Sequence, residues 1–133
     1  MKHVLDTTAL VAHALAEEGA GTVQAIIADE ANDILLSAVS LFELAGVLKM
    51  NGSADQIPVY WEAYRQIAEV VPVDAALAMG AWDLREEVGE RIPIADAIIA
   101  ATARQRGATL VHRDKHLAQI PETMIPQIRI AAP

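Results

Sequence analysis

The stretch MKHVLDTTALVAHALA, residues 1–16, decides the fold. His3, Val4 and Leu5 form a short apolar run that ends at Asp6. From Thr7 to Ala16, Leu10, Val11, Ala14 and Leu15 then recur at helical spacing. A strand runs straight into a helix, and Asp6 stands at the junction. The pattern repeats along the chain. After Gly19 and Gly21 a second helical stretch reaches about Ala31, and Asn32-Asp33 turns it into a buried strand, Ile34-Leu35-Leu36-Ser37. A helix carrying Leu41, Leu44, Ala45 and Leu48 follows and stops at Asn51-Gly52. Residues 53–69 read as helix, with Ile57, Tyr60, Trp61, Tyr64, Ile67 and Ala68 on one broad face and Pro58 near the first turn. Val70–Val73 is a short strand. Asp74 opens a helix striped with Leu77, Ala81, Leu84 and Val88 and ended by Gly89, and Pro93 begins another that Gly107 stops after Arg106. Thr109–His112 reads as a strand, Asp114–Leu117 as a helical turn and Gln127–Ile130 as a last strand. Such alternation predicts an α/β fold, with a parallel sheet covered by helices on both faces.

Composition narrows the function. At 133 residues and 53% hydrophobic, with no low-complexity tract and no internal repeat, the chain is expected to form one domain over 1–133. Asp6 interrupts the first apolar run before a signal-peptide core forms, and no run approaches the roughly 18 apolar residues of a membrane span, so a cytoplasmic location is expected. The chain has no cysteine. That excludes disulfides, thiolate nucleophiles and Cys-ligated zinc, so any metal must be held by oxygen or imidazole, and hard cations such as Mg²⁺ or Mn²⁺ suit best. A formal net charge of −8 argues against a broad basic face for nucleic acid. Divalent ions among several carboxylates would still make one local site able to accept a phosphodiester.

Four acidic residues stand just past a strand or in the first turns of a helix: Asp6, Glu43, Asp96 and Asp114. In an open α/β sheet these junctions share one edge, where ligands bind. Each also has a plain structural reading. Asp6 is a ready N-cap, Asp114 can cap the turn after the strand 109–112, and Ser40-Leu41-Phe42-Glu43 has the form of a capping box. Asp96 lies in Ile94-Ala95-Asp96-Ala97-Ile98-Ile99-Ala100-Ala101, apolar on nearly every side, where a carboxylate needs a partner, although an anion in a first turn is favoured by the helix dipole. Asp74 fits the same strand-to-helix criterion, and spacing alone does not exclude it. His112 and His116 are four apart, but His112 falls on a strand, which argues against a shared zinc face. Gly19-Ala20-Gly21 follows a helix and lacks the third glycine of a dinucleotide loop. Tyr60, Trp61 and Tyr64 offer stacking surfaces but more often build a core or subunit interface. Arg113 and Lys115 flank Asp114, where they would either steer a phosphate or simply be solvated.

Four blocks taken in order resemble the PIN-domain family, in particular its VapC-type toxin ribonucleases. They are Val4-Leu5-Asp6-Thr7-Thr8-Ala9-Leu10, Ser37-Ala38-Val39-Ser40-Leu41-Phe42-Glu43-Leu44, Ile94-Ala95-Asp96-Ala97-Ile98-Ile99-Ala100 and Leu110-Val111-His112-Arg113-Asp114-Lys115-His116-Leu117. The resemblance spans nearly the whole chain and implies a PIN-like three-layer α/β/α sandwich around a short parallel sheet of order 3-2-1-4-5. It implies that Asp6, Glu43, Asp96 and Asp114 form the catalytic, metal-holding quartet, with Thr8 in support, and that Asp74 lies away from it. The implied activity is hydrolysis of RNA phosphodiester bonds with Mg²⁺ or Mn²⁺. The implied partners are a small antitoxin and a second copy of the chain in a homodimer. His112 departs from the pattern, since many relatives carry Thr or Ser two residues before the last acid. Two other classes remain open: a non-catalytic α/β interaction module whose acids are only caps, and a metal-dependent phosphohydrolase of small esters. The latter lacks a second Asp at position 8.

Overall fold

The computed structural model describes residues 1–132. The chain runs β1 (Lys2–Leu5), α1 (Thr7–Ala14), α2 (Ala20–Ala28), β2 (Asp33–Ser37), α3 (Ala38–Met50), α4 (Ile57–Ile67), β3 (Glu69–Val71), α5 (Ala75–Val88), α6 (Ile94–Arg106), β4 (Thr109–His112) and β5 (Gln127–Arg129), with single 3₁₀ turns at Ala54–Gln56 and Leu117–Gln119. All five strands are parallel, in the order β3-β2-β1-β4-β5. This is the sheet that the resemblance implied.

Alternation along the strands divides the core. Val4, Leu35 and Leu110 point to one face, where Leu77, Ala81 and Leu84 of α5 meet Ile99, Ala100 and Ala103 of α6. Their neighbours Leu5, Ile34, Leu36 and Val111 point to the other, under Leu10 of α1, Val23 of α2, Leu44 and Leu48 of α3 and Tyr64 of α4. Both faces of each central strand are thus apolar, which is why these strands read as unbroken hydrophobic runs.

Helix ends differ from the sequence reading in instructive ways. Ser37 caps α3 through Val39 N at 3.2 Å, so the helix starts directly off β2. The expected capping box at Ser40–Glu43 is therefore corrected: both residues lie inside α3. Helix α2 stops three residues short of Ala31. The Asp29 carboxylate accepts from Ala31 N at 2.9 Å, and the Asn32 amide donates to Ile26 O at 3.1 Å, closing the turn into β2. At Gly19 φ is +95°, and a Cβ there would come within 2.8 Å of the Ile130 side chain. Only glycine fits this approach of the α1–α2 loop to the chain beyond β5.

Parallel strands place their C-terminal ends on one edge, from which Asp6, Ser37 and the turn after His112 all emerge. Helix α6 runs back across the sheet into β4, so its first turn, with Asp96, faces the same edge.

Candidate functional site

Asp6 continues the β1–β4 ladder, its N–H donating to Val111 O at 3.0 Å. Its side chain, 1% exposed, accepts from Ala9 N at 2.8 Å and from the Thr8 hydroxyl at 2.7 and 2.9 Å. The Thr8 oxygen in turn accepts from Arg113 N at 3.0 Å, which fastens the β1–α1 junction to the turn that carries Asp114. Asp114 is half-buried, and its Oδ1 accepts from His116 N at 2.7 Å and Leu117 N at 3.2 Å. Glu43 projects from α3 and accepts from the Thr7 hydroxyl at 2.6 Å, and Ser40 Oγ lies 3.0 Å from that Thr7 oxygen. Asp96 sits half-buried in the first turn of α6, less enclosed than its apolar surroundings suggested.

Asp6 and Asp96 are both displaced from an ordinary carboxylate. Burial, and then the charge of Asp114, push Asp6 up to about 7, against the hydrogen bonds from Ala9 and Thr8 that favour its ionised form. Asp96 is pushed up to about 6 by burial, then by Asp114, then by Glu43, with His116 opposing. Among the described residues the ion pairs are Arg104–Glu87, Arg106–Glu69 and Arg113–Glu17, and none involves the quartet. Arg113, considered above for phosphate steering, instead turns its guanidinium to Glu17 and to Glu18 O at 3.2 Å. The donor set is all oxygen and mutually repelling, which suits a hard divalent cation. As the side chains stand, no three His, Asp or Glu residues among those described converge on one ion position. Asp6 and Asp114 are turned onto backbone amides and Glu43 onto Thr7.

Other sequence candidates resolve. Asp74 is exposed and caps α5 through Leu77 N at 2.8 Å, beside the edge strand β3 and away from the quartet. Tyr64 is 4% exposed and bonds the His13 ring at 2.7 Å, while Trp61 Nε1 donates to Leu41 O at 2.8 Å, so these rings join α4 to α1 and α3. Both ring nitrogens of His112 are engaged within the fold, Nδ1 with Asp114 N at 3.0 Å and Nε2 with Gln127 Oε1 at 2.8 Å, which removes any pairing with His116 on a zinc ion. Sequence reasoning missed Thr7 and Gln127. Thr7 carried a local signal, a second hydroxyl directly after Asp6; Gln127 carried none.

The PIN domain family model matches residues 3–123. No curated protein matches the sequence. Among solved structures, the DNA-bound VapBC of Salmonella typhimurium superposes with a TM-score of 0.77 at 20% identity, over 98% of this chain and 99% of that one. VapBC2 of Rickettsia felis, bound to a promoter DNA fragment, gives 0.76 at 21%, over 97% and 98%. Mycobacterium tuberculosis VapC20, a sarcin-ricin loop cleaving toxin, gives 0.71 at 20%, over 87% and 92%. By the family match, over a sheet of order β3-β2-β1-β4-β5, this chain belongs to the PIN-domain family.

Proposed function

We propose that this protein is a Mg²⁺- or Mn²⁺-dependent endoribonuclease, the toxin of a VapBC-type pair. What supports the reading is placement: Thr8 fastens the Asp6 junction to the turn of Asp114 at the C-terminal edge of the sheet, the first turn of α6 with Asp96 faces the same edge, and among the described residues no ion pair to an arginine or lysine reaches Asp6, Glu43, Asp96 or Asp114. Carboxylates set at a ligand-binding edge without a cationic partner are candidates to hold a cation. Asp6, Asp96 and Asp114 would hold the metal, with Glu43 as a further ligand or as the base. A divalent ion bound there supplies activation of water and charge stabilisation for in-line displacement at phosphorus. The chain's own residues prepare that step. Thr8 fixes the Asp6 carboxylate and the Asp114 turn relative to each other, and Thr7 holds the Glu43 carboxylate in place, where it would serve as a ligand or as the base that orients the attacking water and takes its proton.

The neighbours described as VapBC complexes support a small antitoxin as partner, and we extend to this chain the homodimer and cytoplasmic location expected of such toxins. No helix among the described residues is long and apolar enough to cross a membrane.

A second reading, an interaction module whose acids are caps, draws on the amides that Asp6 and Asp114 already accept. One experiment separates the two. A mixed structured-RNA pool is incubated with the protein in Mg²⁺ and in Mn²⁺, with EDTA and with Asp6→Asn and Asp96→Asn proteins prepared identically. The nuclease reading expects cleavage that EDTA abolishes and that each substitution lowers by about 100-fold or more. Equal cleavage by the wild-type and both substituted proteins would sink it.

A further inference from the structure

His112 is fully buried at the end of β4, and the polar contacts around it form a chain with a single proton arrangement. The Gln127 amide nitrogen donates to Ile120 O at 2.7 Å, which orients that side chain with its oxygen toward the imidazole. Gln127 Oε1 accepts from His112 Nε2 at 2.8 Å, so Nε2 carries the proton. Nδ1 is then a bare acceptor, and it faces the Asp114 N–H at 3.0 Å, a group able only to donate. Each link in this sequence permits one orientation of the next.

The contact from a side-chain acceptor at residue 112 to the N–H at residue 114 is the geometry of a hydroxyl turn, in which Ser or Thr bonds the amide two residues on. Histidine reproduces it with a nitrogen and adds a second anchor that a hydroxyl lacks, on β5. We propose that His112 is a positioning residue for Asp114, locked into its Nε2–H tautomer by Gln127 and setting the turn from which the Asp114 carboxylate is presented. This rests on the reading of Asp114 as a metal ligand. Outer groups that orient a ligand typically change metal affinity by about 10- to 100-fold.

The test compares His112→Thr with His112→Val. The two side chains have nearly the same shape and leave the same space, but only threonine restores an acceptor for the Asp114 N–H. Mn²⁺ binding is measured by calorimetry on the protein without RNA, alongside thermal melting and cleavage across a Mn²⁺ titration. His112→Val is expected to weaken Mn²⁺ binding by about 10-fold or more, with the maximal rate at saturating Mn²⁺ much less affected, and His112→Thr to recover most of the affinity although both melt lower than wild type. Threonine binding Mn²⁺ no better than valine would make His112 a packing residue only and overturn the proposal. A measurement on the wild type needs no variant to fold: imidazole ¹⁵N shifts are expected to show Nε2 protonated and Nδ1 bare, and a protonated Nδ1 would overturn it too. Wild-type protein that neither binds Mn²⁺ nor cuts RNA would overturn the nuclease reading and this inference together. Wild-type activity with equal Mn²⁺ affinity in both variants would remove this inference alone.

Discussion

Asp6 receives hydrogen bonds from Ala9 N and from Thr8, yet its enclosure between β1 and α1 still raises its pKa to about 7. Two donors do not replace the lost hydration of a charge beside Asp114. The side chain is therefore held against the interest of the fold, as functional groups often are. An asparagine would keep an oxygen for the Ala9 cap and remove the charge. Asp6→Asn is expected to stabilise the metal-free protein at pH 8, by up to about 4 kcal/mol if the whole shift from an ordinary carboxylate is recovered. Urea unfolding of the two proteins in EDTA checks this, and a less stable variant would show that the hydrogen bonds outweigh the buried charge. At this scale the sequence named the four acids but could not separate caps from ligands, because a carboxylate at a helix start satisfies both descriptions. In the structure Asp6 and Asp114 both accept backbone amides as caps, and Thr8 ties their two turns together. The Thr7–Glu43 and His112–Gln127 bonds were illegible, since spacing within one element says nothing about which side chains meet across two.

Among the elements, α5 supplies the contrast with α1. Both begin after a strand, and both are capped by an aspartate that accepts from the amide three residues on, Asp6 from Ala9 and Asp74 from Leu77. Asp74, however, is exposed and stands beside the edge strand. Asp74→Ala is expected to cost about 1 kcal/mol of stability through the lost cap and to leave metal-dependent RNA cleavage at the wild-type rate. Lost cleavage in a folded Asp74→Ala protein would place the site elsewhere on the sheet. Helix periods and glycine stops were legible here, with α5 and α6 ending at Gly89 and Gly107 as read; the structure places both glycines in the left-handed conformation. Starts were harder. Ser37 and Ser40 are both competent caps, and the choice of Ser37 follows from β2 pairing through that residue with Val71 of β3. A tertiary contact thus decides a local boundary.

Across the whole molecule, stability rests on two apolar layers meeting through one sheet, and His3 intrudes on that arrangement. It is 5% exposed, its Nδ1 has no partner among the described residues, and burial holds its pKa below the ordinary 6.5. A lowered folded-state pKa means that the unfolded chain takes up the proton more readily. The neutral ring's contribution is therefore fully present above pH 6.5 and is lost as pH falls through that value toward the folded pKa. Wild type is expected to lose more stability than His3→Val on moving from about pH 8 to about pH 5.5, read from urea midpoints of both proteins at each pH. Equal losses would show that His3 takes no part in the acid response.

The sequence by itself determined the class of the fold and the four blocks that mark the family, because strand and helix periods, caps and glycine stops are written within a few neighbouring residues. Only the tertiary structure decided what those blocks share. Pairing of β1 with β4 sets Asp6 beside the turn of Asp114, β3 on the edge carries Asp74 away, and α3 and α6 bring Glu43 and Asp96 into the same field. Strand order and side-chain contact are non-local, fixed by burial on both faces of the sheet, and no window of sequence contains them.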